Sequence, residues 1–347
     1  MNRSDSEDIH PSGRDRGRSA RKPGGIPPKG WWDVIWRVVK RFGNDNVSLV
    51  AGGVALYVML SVFPGLTALV SIYGLFASPA QLAQHMQAFA GVLPPGVWDI
   101  FNSQLQQLVH NSTGTLSAAA AVGTLMALWS ARSAMSAMMT ATNIAYGERE
   151  KRNLIVQILL SIAFSVGAIF LFIVMVLLGI AIPAVLKILG TSPALQVLAD
   201  VLRFVLMWCV AVLGLAVIYR YAPAREHARW RWVSWGSIIA ATLWLAASAA
   251  FGLYIKSFAG YGKTYGALGG VIALLMWFYI SSIIAVIGAE TNAEMERQTY
   301  KDTTVRESAP LGQRGAYAAD TVGASANEAS DAEVRQPAEG KTNIAGR

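Results

Sequence analysis

Apolar residues gather into six long stretches that shorter polar segments separate. About 20 helical residues, each rising about 1.5 Å, cross a hydrocarbon core about 30 Å thick, and every stretch reaches that length. Because lipid offers the backbone no water, a crossing segment must be helical unless it belongs to a closed barrel, whose strands would alternate in polarity. We therefore predict an all-α, polytopic membrane protein with six transmembrane helices over 49–76, 116–140, 154–182, 197–219, 233–255 and 266–289.

The segments outside these stretches differ in composition. Residues 1–29 and 299–347 are rich in polar, charged and small residues, and they carry too few apolar side chains to offset the entropy of ordering. We predict a disordered basic cytoplasmic tail at 1–29, a six-span domain at 30–298 and a second disordered cytoplasmic tail at 299–347. Residues 79–111, between the first two spans, contain two amphipathic stretches and predict a small helical cap on the outer surface.

Residues 27–42 interleave three tryptophans with basic residues ahead of the first span. Two interpretations fit this pattern equally well. The segment is either an amphipathic helix that lies on the inner membrane surface or an extension of the first span into the cytoplasm.

Composition and charge support the membrane assignment and orient the chain. Hydrophobic residues make up 54% and charged residues 14% of the chain, whereas soluble domains carry about 25% charged residues. Lys and Arg concentrate before Val47, after Glu296 and in two short turns at 148–152 and 220–231, not in the stripe typical of nucleic-acid binding. Because these cations favour the cytoplasmic side, we predict a bacterial inner-membrane protein with both termini cytoplasmic and no nucleic-acid partner.

Arg132 is a charged residue well inside the second apolar stretch. An Arg near the centre of a spanning helix costs roughly 2.5–3.5 kcal/mol on insertion scales. With Ser136, Thr140 and Asn143 it forms one polar stripe, because steps of four, four and three residues stay on one helix face. We predict an intramembrane polar site facing the bundle interior or a wet cavity. The alternative is that Arg132 reaches back to the cytoplasmic headgroups.

Glu290 follows the sixth stretch and is the acidic member of the candidate site. Its position near the aqueous boundary is one explanation for an acid there. The functional alternative is that it pairs with Arg132 or Arg220, to close an inner gate or to bind a cation. Asn292 and Glu294, which follow, are expected to face the cytosol.

Two further positions carry structural predictions. Pro64 lies inside the first stretch and predicts a helix kink, because proline removes a backbone donor and crowds the preceding turn. Broken helices can mark binding sites in transporters, although most membrane prolines only shape packing. Asp200 and Arg203, three residues apart, predict a local ion pair.

Residue patterns typical of catalysis are not found in the sequence. The four histidines fall in separate regions without metal-ligand spacing, and Cys209 is the only cysteine. No paired carboxylates lie close together inside an apolar stretch. We therefore expect no enzymatic activity, no catalytic residues, no metal and no cofactor.

Five short runs follow one another in the sequence. They are ALYVMLSVFP at 55–64, LWSA at 128–131, TNIAY at 142–146, YRYAP at 219–223 and GAETNAE at 288–294. In order and spacing they resemble the YihY/BrkB family of bacterial inner-membrane proteins, historically mislabelled as ribonuclease BN. The resemblance implies six spans with cytoplasmic ends, and transport or export of lipid-related or ionic species, but little chemistry.

Two functions remain open from the sequence. The first is a transporter or exporter of an anionic or lipid-related substrate, because an embedded arginine suits such a charge. The second is a non-transporting membrane protein that acts in envelope integrity or partner binding. The lipid bilayer is the expected partner in both, and a homo-oligomer is compatible with the sequence but is not indicated by it.

Overall fold

The computed structural model describes residues 15–74, 113–181, 192–257 and 267–326. Within these ranges the chain is helical, and its only β pairing is an isolated bridge between Ala228 and Thr304. A 3-10 turn, Pro23–Gly25, precedes the first α-helix. The α-helices are α1 Pro28–Asn44, α2 Val47–Gly74, α3 Thr113–Tyr146, α4 Leu154–Val176, α5 Pro193–Tyr221, α6 Trp230–Ser257, α7 Ala267–Glu296 and α8 Tyr317–Asp320, with a π-helical turn, Leu177–Ala181, after α4.

Each of the six predicted apolar stretches coincides with one long helix, α2 to α7. Local signals fix some of their ends. The Asn153 side chain accepts a hydrogen bond from the Val156 amide at 2.9 Å and caps α4, as expected for Asn at an N-cap. Ser192 caps α5 through the Leu195 amide, and Pro193 occupies the first turn, where its missing N–H costs nothing.

Four helices are long and apolar enough to cross a membrane. These segments are Leu154–Gly179, Ala194–Tyr221, Trp230–Ile255 and Gly269–Glu296, and the bent pair of α1 and the first part of α2 raises the count to as many as five among the described residues. Large apolar side chains are exposed along them, such as Phe170 on α4, Leu198 on α5 and Ile272 on α7. A surface of this kind is suited to lipid, so the all-helical membrane architecture is confirmed at four to five candidate spans.

α7 occupies a central place in the bundle, because it packs against α1, α2, α3 and α6. The contact between α6 and α7 is closest where Gly236 faces Gly288. Small residues at such crossings let two backbones approach. The buried apolar core lies mostly around the C-terminal half of α7 and includes Tyr146, Tyr219 and Val233.

α1 is a separate helix rather than a straight continuation of α2. The two axes differ by 68°, and Asn46, in the connection, has a positive φ of 49°, a conformation that Asn tolerates better than most residues. α1 buries one face against the protein and exposes Trp32, Ile35 and Val39 on the other. Of the two interpretations of residues 27–42, the structure favours the amphipathic helix.

The prediction of disordered tails is wrong for the described parts of both segments, 15–29 and 299–326. Ile26 near the N-terminus and Ala318 near the C-terminus are buried. Arg314 donates to the carbonyls of Tyr300, Ala309 and Ala319, so side-chain hydrogen bonds shape the C-terminal segment. Composition underestimated this order because polar side chains can satisfy backbone groups without a large apolar core.

Asp302 shows the same principle on a smaller scale. Its carboxylate accepts hydrogen bonds from the amides of Thr304 and Ala309 at 2.9 and 3.0 Å. Burial raises the pKa of this carboxyl, but the backbone hydrogen bonds outweigh burial, and the net pKa lies below its ordinary value. The charged form therefore stabilises the turn that follows α7.

Pro64 lies inside α2, and the helix continues through it to Gly74. The sharp bend of this region is at residues 45–46.

The predicted outer cap at 79–111 lies outside the described residues. Asp200 and Arg203 form the predicted ion pair, at 3.2 Å.

Candidate functional site

Buried charged side chains are concentrated at one end of the bundle. The end of α3, the start of α4, the α5–α6 connection and the end of α7 meet there with both described terminal segments. We call this region the charged end and define it as residues 15–46, 141–153, 219–232 and 290–326. The two basic turns that the sequence placed on one side lie together in it.

Arg37 of α1 makes four hydrogen bonds at the charged end. Its Nε donates to Glu294 Oε2 at 2.5 Å, and its Nη2 donates to Gln298 Oε1 at 2.6 Å. Nη2 also donates to the Glu294 carbonyl at 3.0 Å, and Nη1 donates to the Ala324 carbonyl at 2.9 Å. One buried guanidinium therefore joins α1, α7 and the C-terminal segment, using the fork geometry that distinguishes Arg from Lys.

Glu294 is fully buried and accepts hydrogen bonds from three arginines. Besides Arg37, Arg297 Nη1 donates to its Oε1 at 2.6 Å, and Arg41 Nη1 approaches the same oxygen at 3.3 Å. The expectation that Glu294 faces the cytosol is wrong, and Asn292 is also fully buried. Glu294 is inside because the folded terminal segments cover the end of α7, and Asn292 is inside because it packs against α6, where the Gly236 amide donates to Asn292 Oδ1 at 2.8 Å.

The two terminal segments also meet each other. Arg16 Nη1 donates to Asp33 Oδ1 at 2.6 Å, and the Ala326 amide donates to the same oxygen at 2.9 Å. Arg18 Nη2 donates to the Gly323 carbonyl at 2.7 Å. The start and the described end of the chain are thereby held against α1.

A second buried pair joins the α5–α6 connection to α7. Arg225 Nη2 donates to Glu296 Oε2 at 2.7 Å, and the Thr303 hydroxyl donates to the same oxygen at 2.6 Å. Burial lowers the pKa of the Arg225 guanidinium, but the Glu296 carboxylate raises it by more, so the net pKa lies above its ordinary value. The Arg225 guanidinium also stacks over the Tyr146 ring, 4.8 Å from its centroid.

Asn143, the last residue of the predicted polar stripe, connects two turns. Its Nδ2 donates to Glu150 Oε2 at 3.0 Å, and its Oδ1 accepts from the Ala224 amide at 2.7 Å. Arg152 donates two hydrogen bonds to the Glu150 carboxylate, from Nε at 2.7 Å and from Nη2 at 2.9 Å. Burial raises the pKa of Glu150, but the hydrogen bonds from Arg152 and Asn143 outweigh burial and lower the pKa to about 2. Asn143 therefore has a structural role at the charged end.

The rest of the stripe is less uniform than its spacing implies. Arg132 and Ser136 are partly buried, while Thr140 is exposed and donates to the Ser136 carbonyl at 3.1 Å. The Arg132 guanidinium stacks over Trp129 at 4.9 Å from the ring centroid. Its Nε is buried without a hydrogen-bond partner among the described residues. The structure thus places Arg132 in the apolar part of α3, away from the arginine–carboxylate pairs.

Glu290 lies one turn before Glu294 on the same face of α7. Its exposed fraction is 0%, and neither carboxylate oxygen has a hydrogen-bond partner among the described residues. Arg220 does not reach it, because Arg220 donates to the Ala228 carbonyl and stacks over Trp230 at 4.6 Å from the ring centroid. The structure does not bring Glu290 together with Arg132 or Arg220.

Sequence reasoning missed Arg37 and its partners, although a signal was present. Asp33, Arg37 and Arg41 recur every four residues on α1, and the same spacing separates Glu290 and Glu294 at the end of α7 from Gln298 in the turn that follows. Spacing of four keeps side chains on one helix face. Two such polar ladders of opposite charge, in segments that otherwise have apolar faces, predict a pairing of the two helices.

Comparison with known proteins decides the family. The model of the family described as Virulence factor BrkB matches residues 38–311. The chain belongs to the BrkB family. This confirms the resemblance seen in the five short runs, and the matched range contains α2 to α7 and most of the charged end.

Relatives of this BrkB-family chain include a ribonuclease-like protein of Bacillus subtilis, YfkH, which is 27% identical over 248 residues, or 70% of this chain and 88% of that protein. A UPF0761 membrane protein of Vibrio cholerae is 30% identical over 278 residues, 77% of this chain and 88% of that protein. A UPF0761 membrane protein of Idiomarina loihiensis is 26% identical over 263 residues, 74% and 88% of the two chains. No solved structure shows significant similarity to the chain.

Proposed function

We propose that this BrkB-family protein transports an anionic or lipid-related substrate across the bacterial inner membrane. In this proposal α2 to α7 all cross the membrane, which gives six spans, and the charged end with both termini faces the cytoplasm. The positive-inside rule supports the orientation, because the two basic turns and both described terminal segments lie at that end.

One observation carries the transport proposal. Arg132 lies within α3 with its Nε buried and without a hydrogen-bond partner among the described residues. A guanidinium keeps its charge, and an ionisable residue inside the membrane marks a functional site by default. A cation without a carboxylate partner at such a place suits an anionic ligand. The stacking on Trp129 covers one face of the guanidinium and leaves its edge donors for a ligand.

A second function draws support from the C-terminal segment. Residues 299–326 are folded over the charged end and expose Val305, Leu311 and Tyr317. An ordered surface of this kind suits partner binding or a role in envelope integrity without transport. The ribonuclease-like name describes the Bacillus subtilis relative. Neither proposed function involves nuclease chemistry.

Replacing Arg132 with alanine is expected to reduce transport by about ten- to hundredfold, because hydrogen bonds to a charged group contribute about 1.5–3 kcal/mol. The purified protein would be reconstituted in liposomes, and flux of chloride, inorganic phosphate and a fluorescent phosphatidylglycerol would be measured. Arg149→Ala, at an exposed position in the turn after α3, is the matched control and should leave flux unchanged. Equal flux in folded Arg132→Ala and wild-type protein would exclude the site.

The orientation is tested by labelling intact cells with a membrane-impermeant thiol reagent. In a Cys209→Ser background, Lys151→Cys, whose native side chain is 67% exposed at the charged end, is expected to be labelled only after the cells are opened. Lys263→Cys, between the predicted fifth and sixth spans, should be labelled from outside. Labelling of Lys151→Cys in intact cells would reverse the proposed topology.

A further inference from the structure

Glu290 is a buried carboxylate whose charge the fold does not balance. It lies on α7, it is fully buried, and both of its oxygens lack a hydrogen-bond partner among the described residues. An ionised carboxylate in such a place destabilises the fold unless it is paired. Burial removes its hydration, and no hydrogen bond or ion pair compensates for that loss. None of the structural roles described for the charged end uses this side chain.

The charged groups close enough to act on Glu290 are Arg41, Asp45 and Glu294. Asp45 has Arg41 as its ion-pair partner, with Nη2 at 2.7 Å. Glu294 has Arg37 and Arg297. α2, α3 and α6, which also pack against α7, contribute no charged group to Glu290 within the described residues. Each neighbouring acid therefore has its own cation, and Glu290 has none.

Arg41 cannot serve as that cation in the conformation of the structure. Its Nε donates to Asp45 Oδ2 at 2.8 Å, its Nη1 to Glu294 at 3.3 Å and its Nη2 to the Ile144 carbonyl at 3.1 Å. These contacts join α1, α3 and α7 through one guanidinium. To meet Glu290, Arg41 would have to give up at least one of them.

We propose that Glu290 is a proton-binding site within the bundle, and that its proton is the coupling ion of transport. The coupling part rests on the proposed function; the binding part does not. A proton from the aqueous phase adds to one carboxylate oxygen and makes the group neutral, with no other bond formed or broken. A metal ion is the weaker fit, because hard cations need several oxygen ligands, and no group of three His, Cys, Asp or Glu residues suited to a metal occurs among the described residues.

The position of Arg41 gives the proton a structural consequence. When Glu290 is protonated, Arg41 stays on Asp45, Glu294 and the Ile144 carbonyl, as in the structure. When the proton leaves, Glu290 becomes an uncompensated anion that competes with Asp45 and Glu294 for Arg41, and the contact between α1, α3 and α7 weakens. Loss of the proton thereby loosens the charged end, and binding of the proton closes it.

The binding is tested on purified full-length protein by infrared difference spectroscopy across a pH titration. The wild-type protein is expected to show a protonated carboxyl C=O band that Glu290→Gln lacks. Glu150→Gln is the matched control, because Glu150 is held as a carboxylate by Arg152, and it should keep the band. A band of equal intensity in Glu290→Gln would overturn the proposal. So would a wild-type band that sodium removes at constant pH.

The coupling is tested in liposomes with chloride, inorganic phosphate and fluorescent phosphatidylglycerol as probes. Wild-type flux is expected to change with an imposed pH gradient, and Glu290→Gln, which mimics the neutral side chain, should lose this dependence while remaining folded by size-exclusion chromatography. A pH dependence equal to that of the wild type would overturn coupling at Glu290. If the wild type moves none of the probes, the proposed function fails, and the infrared result still decides whether Glu290 holds a proton.

Discussion

Replacing Arg37 with alanine is expected to destabilise the protein by about 3–5 kcal/mol, because removal of one partner leaves a buried charge without compensation. Glu294 would lose its 2.5 Å partner, and Gln298 and the Ala324 carbonyl would lose their donors. The measurement is the midpoint of thermal unfolding in detergent, followed by intrinsic tryptophan fluorescence. Limited proteolysis should also show earlier cleavage after residue 297, since Arg37 holds the C-terminal segment.

Arg306 provides the control for this change. It also forms an ion pair, with Glu226 at 3.3 Å, but its side chain is 75% exposed. Surface pairs contribute between about 0 and 1 kcal/mol, so Arg306→Ala should leave the unfolding midpoint nearly unchanged. Equal small effects of the two substitutions would mean that the buried network does not hold the charged end together.

The helices were predictable from sequence, because the requirement for a membrane span concerns only consecutive residues. A segment in lipid must be apolar over about 20 residues, and that pattern is visible without knowing any contact. In the structure the starts of α4 and α5 are set by Asn153 and Ser192, whose caps act within three residues, and α5 begins four residues before the predicted span. How many of the long helices cross the membrane depends on more than length, and the described residues support four to five spans.

The charged end was not predictable in the same way. Arg37 and Glu294 are 257 residues apart in sequence, and no local sequence pattern predicts their contact. Arg132 attracted notice because a charge interrupts an apolar stretch, whereas Arg37 and Glu294 lie in segments where charge is ordinary. The pairing of the two helices is visible only when the four-residue ladders on α1 and α7 are compared with each other.

The terminal segments show why composition alone misjudged order. Residues 15–29 and 299–326 have little apolar surface, which predicts disorder. In the structure their backbone groups are satisfied by Arg18, Asp302 and Arg314, and they cover carboxylates that could not otherwise be buried. Each depends on the other, since the segments need the charged end to fold on and Glu294 needs them to exclude water.

Replacing Gly288 with alanine is expected to destabilise the protein by about 2–4 kcal/mol. A methyl group there would overlap the Tyr219 hydroxyl, the Ala240 side chain and the Gly236 carbonyl, and overpacking of a tight contact costs about 1–3 kcal/mol. The Tyr219 hydroxyl donates to the Ala285 carbonyl at 2.7 Å, and displacing it would add the loss of a buried hydrogen bond, about 1 kcal/mol. The shift of the thermal unfolding midpoint in detergent measures the combined effect of the overpacking and the lost hydrogen bond.

Gly252 allows the same chemical change without the contact. It lies within α6, the helix that crosses α7, and a methyl group at this position would meet nothing within 4 Å. Because alanine restricts the unfolded chain more than glycine, Gly252→Ala should leave stability unchanged or raise it by up to about 1 kcal/mol. Gly288→Ala is therefore expected to be clearly less stable than Gly252→Ala. If Gly288→Ala were as stable as Gly252→Ala, the close approach of α6 and α7 would be wrong, and with it the packing that brings Asn292 and Glu290 into the interior.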